Sequence, residues 1–112
     1  MRDNGVVYVP RAFARQAQFY AAVARAARHL GSHVLSVTPT LESDWSGEPA
    51  AFFLIVLTDA ASRRDRLLEV TKQVHHAIVQ QVQPLEKWGV LPYFNYRSES
   101  EQARINQQTL AS

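Results

Sequence analysis

The sequence predicts an α+β domain in the order strand, helix, strand, strand, helix, strand. Three observations carry this. Hydrophobic period switches between strand-like and helix-like along the chain, the run Ala50-Ala51-Phe52-Phe53-Leu54-Ile55-Val56-Leu57 is apolar on both alternating faces, and Pro92 marks the last strand as an edge. A half-exposed strand alternates apolar with polar residues, so residues 50–57 call for burial on two sides.

Each element has a local cause. Val6-Val7-Tyr8-Val9 is β-branched and aromatic and stops at Pro10, which predicts a short first strand. From Arg11 to Leu30 the residues Phe13, Ala17, Tyr20, Val23, Ala24, Ala27 and Leu30 recur at helical steps, predicting one amphipathic helix ended by Gly31. Residues 34–41 alternate, with Leu35, Val37 and Leu41 on one side and Ser36, Thr38 and Thr40 on the other. Turn formers at residues 42–49 join this half-exposed strand to the run at 50–57 as a long-looped hairpin.

Ser62 and Asp65 suggest a capping-box start for a second helix, whose stripe is Leu67, Val70, Val74, Ile78 and Val82 up to Pro84. Trp88-Gly89 reads as a connector and residues 90–97 as the final strand. Ser98 and Glu101 have capping spacing, so residues 99–110 predict a short glutamine-rich helix that frays. The domain therefore spans residues 1–98, with 99–112 as a tail or short helix.

This order is that of the ferredoxin-like βαββαβ two-layer sandwich, a four-stranded antiparallel sheet with two helices on one face. Its third strand is central, which suits the run at 50–57, and its fourth is an edge, which suits Pro92. The competing arrangement drops residues 6–9 and leaves a three-stranded sheet with two helices. Either way one sheet face lies open. A second copy packed sheet against sheet is the preferred cover, because residues 99–110 offer few apolar groups besides Ala103, Ile105 and Leu110; the C-terminal segment folding back is the other.

Composition narrows the chemistry. The 112 residues are 46% hydrophobic and 20% charged, an ordinary globular balance. With no cysteine, disulfides, thiolate catalysis and cysteine metal sites are excluded. The longest apolar run is far short of the ~20 residues that span a bilayer, and no signal-peptide region is recognisable, so a cytoplasmic protein without membrane partners is expected. Gly-x-Ser-x-Gly, phosphate-loop and dinucleotide fingerprints are lacking; no catalytic residue, metal or cofactor is assigned.

Two residue sets remain as candidates. Arg11, Arg15, Arg25 and Arg28, with Gln18 and His29, line the first helix away from its apolar stripe, a pattern that can follow phosphates. Trp45 and Glu48, in a loop with Glu42 and Asp44, and Tyr93 and Tyr96 in the last strand are candidates for a pocket or partner contact. RNA-recognition domains share the strand order but carry a basic residue, a glycine and spaced aromatics on the third strand. The present Ala50-Ala51-Phe52-Phe53-Leu54-Ile55-Val56 lacks the first two, which weighs against RNA binding through the sheet. His29 and His33 are separated by Gly31-Ser32, and His75 and His76 point about 100° apart on a helix, so neither pair suits a metal.

The expected function is a small non-enzymatic interaction or regulatory module, a homodimer through the open sheet face. The alternatives are a nucleic-acid-binding protein using the first-helix arginines and a small-molecule-binding or enzymatic dimeric α+β barrel.

Overall fold

The computed structural model describes residues 9–111. Its elements are α1 (Arg11–Ala14), α2 (Gln16–Ala27), β1 (Val34–Ser43), β2 (Pro49–Leu57), α3 (Leu67–Val82), α4 (Pro84–Trp88), β3 (Leu91–Ser98) and α5 (Glu99–Ala111). The protein is α+β, with a mixed three-stranded sheet in the order β1-β2-β3. β1 runs antiparallel to β2, and β3 parallel to it.

The run at 50–57 is the middle strand, as its double-sided hydrophobicity requires. Its neighbours differ from the four-stranded ferredoxin-like arrangement, in which the third strand would pair with the first. Here β3 takes that place, in register from Ala50 with Leu91 to Leu57 with Ser98. Of the predicted first strand, residues 6–8 lie outside the described residues, and Val9 belongs to no strand. Among the described residues the sheet is thus the competing three-stranded one. A parallel pair needs a long crossover, and α3 with α4 supplies it.

One face of the sheet carries the core. Ala51, Phe53, Ile55 and Leu57 are at most 1% exposed and meet Phe19, Val23 and Ala26 of α2 and Val70, Val74, Ile78 and Val82 of α3. Burying each large apolar side chain contributes about 1.5–3 kcal/mol as an upper figure, so this face dominates the stability of the fold. Val34, Val37 and Leu41 extend it over β1. Leu35, expected on the same side, is exposed because the ladder shifts between Val34 and Ser36 and turns it outward.

Several helix details depart from the periodicity. The helix expected over residues 11–30 is broken at Arg15, whose φ of −130° and ψ of 55° are not helical. The break shifts the phase: the buried stripe is Phe19, Val23 and Ala26, while Ala17, Tyr20 and Ala24 face solvent. Phe19 is the bulkiest candidate and takes the core position. It packs edge-on against Trp88 with centroids 5.4 Å apart and lies 6.4 Å from Phe53. Trp88 is therefore core, at 7% exposure, and not a connector; the short α4 places it there between Gln83 and Gly89, both at positive φ.

The α3 stripe follows expectation from Val70 to Val82, with Leu67 exposed. The Ser62 and Asp65 cap does not form. Ser62 Oγ donates to the Thr58 carbonyl and Asp65 pairs with Arg63, so α3 starts without a side-chain cap. At α5 the Glu101 N–H does bond Ser98 Oγ at 3.1 Å, and Asp59 accepts from both the N–H and Oγ of Ser100. Beyond this anchor α5 is mostly exposed: only Gln102 and Ile105 are half-buried, and its contacts fall on β2 and β3. The C-terminal segment forms a helix, and its Gln102 accepts a 2.9 Å hydrogen bond from Arg97 at the end of β3.

Candidate functional site: the open sheet face and its Trp45 loop

Opposite the core, strand alternation sets four rows of side chains across the sheet. They are Glu42, Ala50 and Leu91; Thr40, Phe52 and Tyr93; Thr38, Leu54 and Asn95; and Ser36, Val56 and Arg97. One end is acidic, the middle is apolar and aromatic, and the other end is basic. Phe52 and Leu54 are half-exposed, and a shallow cavity of about 280 Å³ opens between Thr40, Phe52, Leu54, Tyr93, Asn95 and Arg97.

The β1–β2 loop is tied to this face by Asp44. An aspartate at the start of a turn accepts hydrogen bonds from the backbone that follows, and Gly47 at φ +88° permits the reversal. Asp44 Oδ1 accepts from the Ser46 N–H at 2.9 Å, Ser46 Oγ at 2.7 Å and the Glu48 N–H at 2.9 Å. Oδ2 accepts from the Tyr93 hydroxyl at 2.8 Å. At 8% exposure Asp44 is the one buried charged residue among those described.

These donors favour the carboxylate. The Ser46 hydroxyl has the largest effect, partial burial opposes it, and Tyr93 and the backbone N–H groups add to it, holding the Asp44 carboxyl at about 2. The same bond, partial burial and the charges of Asp44 and Glu48 push the Tyr93 hydroxyl up. Asp44 is thus a weak base with its lone pairs occupied, and Tyr93 a reluctant acid. The pair is built to hold shape rather than to move protons.

What it holds is an aromatic cluster. The Tyr93 ring stacks on Phe52 with centroids 5.1 Å apart and planes 17° apart, and Trp45 leans on Tyr93 at 5.2 Å and 59°. Trp45 is nonetheless 83% exposed. The indole is thus held out from a loop that the Asp44 hydrogen bonds fix in place.

Trp45, Glu48 and Tyr93 therefore come together at one end of the open face. Tyr96 does not: it lies on the core face, stacks beside Phe94, and donates from its hydroxyl to the Thr71 carbonyl at 3.2 Å. Burial alone pushes its hydroxyl up to about 12. Phe52 belongs to the site without being a sequence candidate, and Asp44, named only as part of the acidic loop, is its anchor. Phe52 was legible as the alternate residue facing Tyr93 once the strands paired, and Asp44 as the aspartate of an Asp-x-Ser-Gly turn.

The arginines are distributed differently. Arg11 lies over the Trp88 ring at 4.7 Å, a cation–π contact that ties α1 to α4. Arg15 sits in the helix break, so the set shares no single helix axis. Arg15, Arg25 and Arg28 are exposed and form no ion pair with a described residue.

His75 packs against Phe94 with centroids 4.4 Å apart, and Arg66 donates to His33 Nε2 at 3.1 Å. Among the described residues no group of three acidic or histidine side chains is placed to hold a metal ion, and no helix is long and apolar enough to cross a membrane. Compared with known proteins, the chain matches no family model, and neither a curated protein nor a solved structure resembles it significantly.

Proposed function

We propose that the chain is a non-enzymatic interaction module that self-associates as a homodimer through the open sheet face, covering the second side of its three-stranded sheet with another copy. The observation that carries this reading is the exposed aromatic cluster of Trp45, Tyr93 and Phe52, held rigid by Asp44 on a face whose two ends have opposite charge. Rotating one copy about an in-plane axis perpendicular to the strands sets the acidic end of one face against the basic end of the other. Arg97 of the second copy then lies over Leu91, at the end of the face that carries Glu42 and Glu48, while Phe52 meets Leu54 of the second copy.

Two further features favour face over edge. Both outer strands contain a proline, Pro39 in β1 and Pro92 in β3, and proline cannot donate to a ladder, which discourages edge-to-edge pairing. Face-to-face packing of two sheets about 10 Å apart needs apolar side chains such as Phe52 and Leu54 at its centre.

Sedimentation equilibrium tests the proposal. The wild-type chain is expected to be dimeric at micromolar concentration, Leu54→Glu monomeric, and Arg97→Glu weakened and partly restored by Glu48→Arg. A monomeric wild-type chain up to about 100 μM, weaker than any useful affinity for such an interface, would overturn it.

Nucleic-acid binding is the second reading, favoured by Arg25 and Arg28, which form no ion pair with a described residue. It has less support, because Arg11 is engaged by Trp88 and the aromatic face is flanked by Glu42, Asp44 and Glu48, which repel phosphate.

A further inference from the structure

A second cavity lies away from the aromatic face. It has a volume of about 520 Å³ and opens between the start of α3, the ends of β2 and β3, and the first turn of α5. Its walls are Leu57, Leu67, Leu68 and Tyr96, and the charged groups at its rim are Arg64, Arg97 and Glu101. From these residues we infer a binding site for a small organic anion with an apolar body, a medium-chain carboxylate being the simplest example.

Three independent observations support the assignment. The first is topological: β2 and β3 are parallel, and the cavity sits at their carboxyl ends, Leu57 and Ser98, where open sheets with parallel strands leave a crevice. Strands that end together while their crossover helix starts above them leave backbone and side chains pointing into common space.

The second is the apolar surface left uncovered. Leu68 is 68% exposed and Leu67 38%, although both open a helix whose later stripe is fully buried. Two adjacent exposed leucines over a volume within the ~300–1,000 Å³ range of ligand pockets suit an apolar ligand body.

The third is charge. Arg64 forms no ion pair with a described residue, and Arg97 Nη1 donates to the neutral Gln102 Oε1 at 2.9 Å, so neither guanidinium meets a carboxylate among the described residues of its own chain. Glu101 opposes them, leaving one net positive charge at the rim. The N–H groups of Leu68 and Glu69 also lack an acceptor among the described residues, consistent with α3 starting uncapped. A carboxylate head at the arginines with its chain over Leu67 and Leu68 satisfies both parts of the cavity.

Octanoate is the probe, octan-1-ol and acetate are its controls, and ¹H–¹⁵N correlation spectra of the intact chain give the readout. Octanoate is expected to bind saturably and shift the amides of Leu68, Glu69 and Ser98, with octanol and acetate at least about tenfold weaker. Arg64→Gln should weaken octanoate by about tenfold, and Glu101→Gln should tighten it, the neutral variant removing an opposing charge. Both side chains are exposed, so the spectra themselves report that the fold is kept. Equal binding of octanol and octanoate, shifts clustered on Phe52 and Tyr93 instead, or no saturable shift would each overturn the assignment. Dimer formation does not involve Arg64, so failure here leaves the self-association proposal standing.

Discussion

The hydroxyl of Tyr93 in β3 donates a 2.8 Å hydrogen bond to Asp44 in the β1–β2 loop, joining two residues 49 positions apart. The bond crosses the middle strand and fastens the loop over the far edge of the sheet. Through it the chemistry of a turn reaches the surface that the fold leaves uncovered.

Asp44 is expected to titrate far below a free aspartate. Its folded value of about 2 lies under the ordinary 3.8, so its contribution to stability is complete above about pH 4 and is lost as pH falls through 2. Thermal unfolding followed from about pH 5 down to about pH 2 should show a decline that Asp44→Asn reduces. A ¹³C titration of the carboxyl group gives the midpoint directly, and Tyr93→Phe should raise it.

Tyr96 should behave in the opposite sense at high pH. Its hydroxyl is raised to about 12 by burial, so the fold favours the neutral phenol. That stability is complete below the ordinary value of 10.0 and is lost as pH rises toward about 12. Spectrophotometric titration should show a late phenol that is lost in Tyr96→Phe, beside the raised phenol of Tyr93.

The two tryptophans should separate cleanly. Trp88→Ala removes a buried ring packed on Phe19 and under Arg11, and is expected to cost about 3–5 kcal/mol in urea unfolding. Trp45→Ala removes an exposed ring and should cost under about 1 kcal/mol, while weakening self-association. Fluorescence of the corresponding Trp→Phe variants should show a blue-shifted Trp88 and a red-shifted Trp45 in the dissociated chain.

Two turn positions predict opposite responses. Gln83 closes α3 at φ 53°, a region where a Cβ is strained, so Gln83→Gly should raise Tm by about 2–6 °C. Gly47 has φ +88°, and a Cβ there meets no atom within 4 Å, so Gly47→Ala should cost about 1 kcal/mol from backbone strain alone.

Much of the fold was legible in particular residues. The double-sided apolarity of residues 50–57 placed them in the middle of the sheet, Pro84 ended α3, and Ser98 capped α5. What misled was phase and partner. Periodicity alone could not show that the backbone breaks at Arg15, and a single unhelical residue rotates everything after it, exchanging Tyr20 for Phe19 in the core. Composition likewise marked Trp88 as part of a connector, because a five-residue helix is too short to announce itself by period.

Trp45, Glu48 and Tyr93 were recognised as candidates from residue type, but their assembly with Phe52 depended on register, and the exclusion of Tyr96 on strand parity. Residues 93 and 96 must face opposite sides of any regular strand, so no strand could place both in one pocket.

By itself the sequence determined the class of the protein, the central strand, the α3 stripe and the turn chemistry of Asp44 and Gly47, because these follow from spacings of a few residues. Only the tertiary structure decided that β3 lies parallel beside β2, that Phe52 meets Tyr93 and that Arg97 closes the basic end of the open face. Strand order and register are set by packing between segments distant in the chain, where several pairings satisfy the same local pattern and only the shared core chooses among them.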